Sequence, residues 1–571
     1  MFSTWLGGDD RHCGKDTNQT LKIDEACLSI INENSQPIIL SSIVEECYMC
    51  DLLPWTNLSS NSNISLVVGT KYPLLVSYTD NINSGSEKLV FKEHGHYGWT
   101  ITDDGHSGLY TLYDPPNQYR PFLVVFTICV LAALLYAVSF TLLRSLRKIS
   151  LREHSDIQDD LGRLQENEPA SQPPPRIPSK SSTRLHSVDA FRGICILLMI
   201  FVNNGGGKYV IFNHSLWNGL TIADLVLPWF AWIMGFTIVI SLRTQLRISV
   251  SRGRIILHCL RRSLILILLG LIINSKHNYS LKNLRFPGVL QLLGVSYFIC
   301  ATIETIFMKA QRSYHPGRFM FLQDIWENWA QWLIVMGIVT IHTLITFLLP
   351  VPGCPTGYLG PGGYHFLGKY PNCTGGAIGY IDRLVFGNHV YNKTENPVYG
   401  HLAPHDPEGL MNILSAVLLV YMGVQAGRIA LFYYNLNSKV IRWLVWAAIT
   451  GIVAGALCNF SKENGVIPVN KNMMSLSYVL TMSSFALILF SILYYLIDYR
   501  RFWSGVPFIY AGVNPIFLYV GHYLTMDLFP WSWTISGVPS HTSYLLMNFW
   551  TTVLWAIIAY GLYKKDIIIT I

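Results

Sequence analysis

Asn203, His214 and Asp224 follow one another closely where one apolar stretch ends and the next begins. An imidazole titrates near the pH of an acidic compartment. It can take a proton from an attacking amine or carry an acyl group itself, so His214 is the candidate base or acyl acceptor. Asn203 is placed to polarise a carbonyl or orient that base, and Asp224 is a carboxylate at membrane depth, which by default needs a partner. Each has a plainer reading as well: a packed interfacial histidine, a helix-capping asparagine, a carboxylate in a structural bridge.

Asp189 and Arg192, in Ser187-Val188-Asp189-Ala190-Phe191-Arg192-Gly193, share a helix face and form either a mutual ion pair or part of an anion site. At ~1.5 Å per residue, Asn203 lies roughly 16 Å beyond Arg192, so one helix links an anion site on one side to a polar group near the other. Arg261 and Arg262 open a further apolar stretch, where phosphate binding competes with plain topology. Arg285, Asn514, His522 and Asp527 are weaker candidates for lining a cavity. No HExxH or Walker loop occurs, and Cys47-x-x-Cys50 has no second pair, so no metal is expected.

The elements that must hold these residues are membrane helices. Of 571 residues, 51% are hydrophobic and 13% charged, with mean hydropathy +0.34, against about 25% charged in soluble domains. A net charge of +7 from 41 basic residues fits loop topology better than nucleic acid, which is not expected as a partner. Residues 1–120 read as a small β-rich lumenal domain, with Cys13, Cys27, Cys47 and Cys50 available for two bridges of open connectivity. The chain does not begin with a basic run and an apolar stretch, so no signal peptide is visible. Residues 121–143 read as the first transmembrane helix, closed by Arg144, Arg147, Lys148 and Arg152, which places its exit in the cytosol. Residues 144–186, with Pro173 to Pro175, read as a disordered cytosolic linker. Residues 187–571 read as a bundle of about ten further helices with a long lumenal loop at 351–408. The fold expected is a polytopic α-helical membrane protein of about eleven crossings, N-terminus lumenal and C-terminus cytosolic.

Two further signals agree on sidedness. The basic loops Arg243/Arg247/Arg252/Arg254, Lys309/Arg312/Arg318, Lys439/Arg442, Arg500/Arg501 and the tail Lys564/Lys565 fall in the cytosol. The glycosylation sequons at Asn18, Asn57, Asn63, Asn278, Asn372 and Asn392 fall in the lumen, as do Asn213 and Asn459, which lie close to the bilayer. That side also receives Cys354 and Cys373, expected to form a disulfide, whereas Cys129, Cys195, Cys259, Cys300 and Cys458 read as packing residues.

The runs SVDAFRG, FVNNGGGKY and WNGLTIADLVLPWF resemble the heparan-alpha-glucosaminide N-acetyltransferase family of lysosomal membrane enzymes. The resemblance continues through RFPGVLQLLGVSYF, FLLPVPGCPTGYLGPGG, GKYPNCTGGAIGYIDR, DPEG, GVQAG, VIPVNKN and NPIFLYVGH. It implies that acetyl-CoA is the co-substrate, drawn from the cytosol, and that the terminal glucosamine amine of heparan sulfate is acetylated in the lysosomal lumen. It places the family's active histidine on His214 and its partner asparagine on Asn203, and a homodimer is a family-level expectation. Tyr523 stands where the family carries a glutamate. On this reading the CoA phosphates dock near Arg192, Arg261 and Arg262 with Asn218 as a further contact, while Asp224, Asp189, Arg285, Asn514 and His522 bind substrate or support the site. The alternatives are a polytopic solute transporter, expected to show inverted repeats and paired broken helices, and a same-fold acyltransferase for another sugar.

Overall fold

The computed structural model describes residues 12–13, 20–79, 84–103, 105–162, 185–248, 250–276, 280–308, 323–391, 394–535 and 539–569. The sequons at Asn18, Asn278 and Asn392, and the basic loop at 309–318, lie outside them. The chain divides into two units, residues 116–184 and the remainder.

The N-terminal head is a β domain, as its alternating valine, isoleucine and tyrosine residues imply. Its strands are β1 (Glu25–Asn32), β2 (Ile38–Val44), β3 (Leu53–Leu58), β4 (Ser62–Gly69), β5 (Leu74–Thr79), β6 (Ser84–Leu89), β7 (His96–Thr102), β8 (Gly105–His106) and β9 (Tyr110–Tyr113). They form two sheets, one ordered β4-β1-β7-β8 with β9 also on β7, the other β3-β2-β5-β6. β1 and β7 run parallel and the other pairs are antiparallel. The core between them contains Leu28, Ile30, Leu40, Val76 and Trp99, all fully buried. The bridges are Cys13–Cys27 and Cys47–Cys50, and a third joins Cys354 to Cys373 as expected. Asn57, Asn63 and Asn372 are exposed.

The smaller unit contains α1 (Arg120–Gly162), 43 residues long. The expected crossing at 121–143 lies within it, Arg120–Leu143 being long and apolar enough to span a membrane; the correction is to the linker, whose residues 144–162 continue the helix past the basic cluster instead of being unstructured. Residues 163–184 of the expected linker lie outside the described residues.

The bundle comprises α2 (His186–Asn203), α3 (Val226–Arg247), α4 (Arg252–Ser275), α5 (Val289–Phe307), α6 (Gln323–Trp326), α7 (Trp329–Leu348), α8 (Gly376–Phe386), α9 (Leu410–Phe432), α10 (Leu436–Leu457), α11 (Leu476–Tyr494), α12 (Phe508–Val513), α13 (Pro515–Thr525) and α14 (His541–Lys564). Among the described residues, 10 helices are long and apolar enough to cross a membrane. The further crossing expected near residue 517 is not one helix but the pair α12 and α13, broken at Asn514 because Pro515 has no amide and its ring disfavours helical backbone before it. The protein is a polytopic α-helical membrane protein.

Lipid gives little hydrophobic drive between helices, so close approach of small residues must bring them together. A Cβ on Gly235 would lie 1.9 Å from the Val420 carbonyl oxygen, and one on Gly423 the same distance from that of Trp232, so α3 and α9 touch backbone to backbone. α2 meets α12 in the same way: Gly193 faces the Phe508 carbonyl and Gly512 that of Asp189, each 1.8 Å from a would-be Cβ. α9 is thereby the central helix, most of it buried, and α2 is clamped where it carries Arg192.

The head docks directly on the bundle. At the start of α14, His541 bridges Asp24 of the head (Nε2 to Oδ1, 3.0 Å) and the Gly207 carbonyl (2.9 Å), with Tyr209 stacked on its ring at 4.6 Å. The Asp24 carboxyl, pushed up by burial, is nevertheless held below its ordinary value by the hydrogen bond and charge of His541 and by Lys71. A second contact sets the Cys47–Cys50 turn against Trp217, Val398 and Tyr399, with the Met49 carbonyl accepting from Leu367 N at 3.0 Å.

Candidate active site

The polypeptide after α2 must turn sharply before reaching His214. Gly205, Gly206 and Gly207 all take positive φ (111°, 55° and 70°), which a side chain would oppose. The loop then returns to Thr221, where a capping box forms: Asp224 accepts from Thr221 N while Thr221 faces the Asp224 amide. Asp224 therefore sits in a 3-10 turn (Ile222–Leu225) that leads directly into α3. Its Oδ2 accepts three donors, Ser215 N (3.1 Å), Thr221 N (3.2 Å) and Thr221 Oγ1 (3.0 Å). Its Oδ1 accepts from His214 Nδ1 at 2.7 Å. The carboxylate is fully buried, whereas the His214 side chain is 54% exposed.

This arrangement fixes the chemistry of the imidazole. A proton on Nδ1 donates to Asp224, so the Nε2 lone pair faces outward, the tautomer being assigned from this partner. Lys471 completes the cluster: its Nζ lies 2.9 and 3.3 Å from the two ring nitrogens and 3.4 Å from Asp224 Oδ1. The geometry is that of a base oriented by a buried carboxylate, able to accept a proton or an acyl group at Nε2.

His214 lines a cavity of about 980 Å³ within the bundle. Asn203, Arg285, Glu408 and Lys471 border it too, and the head contributes Lys71 and Tyr72. Away from the head it reaches Arg192, roughly 16 Å along α2 from Asn203, and Arg262 of α4. Arg192 donates to the Gly512 carbonyl (3.2 Å) and lies 3.6 Å from Asp189, so the ion pair and the position beside the cavity are both realised. The Arg262 guanidinium stacks 4.9 Å from the Tyr297 ring centroid.

Other expected residues fall elsewhere. Arg261 is exposed and does not border the cavity. Asn218 also stands outside it: its amide donates to Glu463 and its oxygen accepts from Asn470 (2.9 Å), so it ties two loops together. Asn203 does not orient His214 in this structure; its amide donates to His522 Nε2 and to Tyr523 Oη, both at 3.2 Å. His522 in turn donates from Nδ1 to the Leu518 carbonyl. Asn514 binds the C-terminal tail through Ile567 and Ile569, and Asp527 pairs with Lys276 at the surface. Arg285 holds Asp406 (Nε to Oδ2, 2.7 Å) and Glu408. Burial pushes both carboxyls up; Arg285 overcomes this at Asp406 and holds it ionised, whereas Glu408, also facing Asp406, stays raised.

Sequence reasoning missed Lys471, Glu408, Lys71 and Tyr72. Lys471, in Val469-Asn470-Lys471-Asn472, is remote from His214 in sequence, and only the packing of α11 against α3 brings them together.

No family model matches the chain. It is 39% identical over 603 aligned positions to the heparan-alpha-glucosaminide N-acetyltransferase of Homo sapiens, covering 98% of this chain and 89% of the relative. The protein of the same name from Mus musculus is 39% identical over 596 positions, 96% of this chain and 89% of the relative. With this similarity running through head and bundle alike, the chain belongs to the heparan-alpha-glucosaminide N-acetyltransferase family of enzymes.

Proposed function

We propose that this protein transfers an acetyl group from acetyl-CoA to the amine of a terminal glucosamine of heparan sulfate, in the lysosomal membrane. The observation that carries the reading is the single cavity joining Arg192 and Arg262 to the His214–Asp224 pair. Its guanidinium groups suit the phosphates of CoA, its apolar middle suits an extended pantetheine arm, and its far end holds a base. CoA then docks from the cytosol and the sugar arrives on the head side, from the lumen. The thioester crosses the membrane's depth inside the protein, so no charged donor has to traverse lipid.

In this reading His214 Nε2 takes the proton of the attacking amine, or first accepts the acetyl group, while Asp224 fixes the ring and balances the imidazolium. Arg192 and Arg262 hold the donor; Lys71, Tyr72 and Glu408 face the acceptor. Sequons at Asn57, Asn63 and Asn372, exposed on the head and its adjoining loop, support a lumenal head. The test is acetyl transfer from radiolabelled acetyl-CoA to glucosamine by membranes carrying the wild type or Arg192→Ala/Arg262→Ala. The variant is expected to raise KM for acetyl-CoA about tenfold or more. An unchanged KM would remove the donor from this end of the cavity.

A further inference from the structure

We propose that Lys471 is a second catalytic residue, its ammonium donating a hydrogen bond to the carbonyl oxygen of the acetyl thioester as the amine adds. The inference rests on the acetyltransferase reading above. Acyl transfer puts negative charge on that oxygen, and a fixed donor aimed at it is ordinarily the largest single contribution to the rate.

Asn203 is the obvious donor by position, but an amide nitrogen carries two hydrogens and both are committed, to His522 and Tyr523. Lys471 has three N–H bonds and spends one on Asp224; because Nδ1 of His214 is itself a donor and Nε2 is kept as the base, neither ring nitrogen is its acceptor, and N–H bonds remain for the cavity it borders. Its side chain is only 11% exposed. Its backbone is clamped on both flanks. Asn470 bonds Asn218 (2.9 Å) and receives Met473 N (3.0 Å), while the Asn472 carbonyl accepts from His405 (2.9 Å) and Asn412 (2.7 Å). A charge so placed needs little reorganisation when the reaction demands it.

The step balances without another reagent. The amine nitrogen adds to the carbonyl carbon, the C=O electron pair moves onto oxygen beside Lys471, and His214 Nε2 takes the amine proton. As the pair returns, the C–S bond breaks and the thiolate leaves with that proton. Lys471 keeps its own protons, and it serves the same oxygen if His214 carries the acetyl first.

The test compares full-length wild type with Lys471→Met and Lys471→Arg, measuring kcat and each KM with acetyl-CoA and glucosamine. It is repeated with trimethylammonium, which can donate an N–H but cannot be acetylated. Lys471→Met is expected to lower kcat by about 10²- to 10³-fold with each KM changed less than about threefold. Trimethylammonium should restore part of the loss, and Lys471→Arg should keep more turnover than Lys471→Met. A loss that trimethylammonium does not relieve, or an unchanged kcat with a raised KM for glucosamine, overturns the proposal. Inactivity of the wild type itself would instead overturn the acetyltransferase reading beneath it.

Discussion

Asp224→Asn isolates the role of the carboxylate with almost no change of shape. In the wild type, one oxygen of Asp224 is fixed by three donors, two of them backbone amides that cannot rotate away, and the other accepts from His214. The asparagine must therefore keep its oxygen toward Ser215 and Thr221 and turn its NH₂ toward His214 Nδ1. That reverses the polarity of the 2.7 Å contact. The imidazole then moves its proton to Nε2 and loses the lone pair that does the chemistry. Forcing the reactive tautomer back sets two N–H groups against each other and forfeits a charge-assisted bond, ~3 kcal/mol or more. That is about 10² in turnover, and the same exchange in a serine-protease triad costs about 10⁴. We expect kcat for glucosamine acetylation to fall by about 10² to 10⁴ with KM for acetyl-CoA unchanged, in protein that still folds but, with the Lys471 ammonium deprived of its carboxylate, has a lowered Tm. Turnover above about a tenth of wild type would refute the reasoning, because His214 would then not depend on Asp224 for its tautomer.

Three further outcomes follow from the packing and the charges. Asp382 is fully buried; one oxygen accepts the Leu410 amide at 2.9 Å, and burial, with Asp406 nearby, pushes its carboxyl up to about 7. Because the folded value is raised, the stabilisation is complete in acid and is lost as pH rises toward that value. From 3.8 and about 7, linkage gives a loss of ~2 kcal/mol between about pH 5 and about pH 7. Thermal unfolding at both pH values should show it, and Asp382→Asn should flatten the difference. Gly423→Val puts side-chain atoms where the Trp232 carbonyl lies and should destabilise the bundle by ~3 kcal/mol or more, read as a lowered Tm with poor recovery of folded protein. Lys71→Ala, which trims the head's contribution to the cavity wall, should raise KM for the sugar acceptor several-fold while leaving KM for acetyl-CoA alone; the reverse pattern would contradict the assignment of the cavity's two ends.

Hydropathy made the bundle legible because each crossing must satisfy its own backbone in lipid, and the β character of the head was legible from strand composition. Charge runs showed less about where helices stop: α1 passes the basic cluster beyond residue 143 and continues to Gly162. The break at Asn514-Pro515 carries a local signal, a proline and the residue before it, but a hydropathy window averages over it. His214 and Asp224 stood out singly by residue type, yet their hydrogen bond depends on a glycine turn and a capping box that return the loop on itself. Lys471, Glu408 and Lys71 come from separate parts of the chain, and only tertiary packing sets them around one cavity. Asn218 shows the opposite error: a polar residue beside a candidate base invites a binding role, and the structure spends it on joining two loops.

The central claim is that an acetyl group passes through the protein from one face of the membrane to the other, and sealed vesicles test it most directly. Radiolabelled acetyl-CoA is supplied outside vesicles that contain glucosamine and carry the protein with its head inward, as wild type or His214→Ala. We predict labelled N-acetylglucosamine inside the wild-type vesicles and none with His214→Ala. Labelled product with His214→Ala, or wild-type product only when donor and acceptor share one side, would contradict the account.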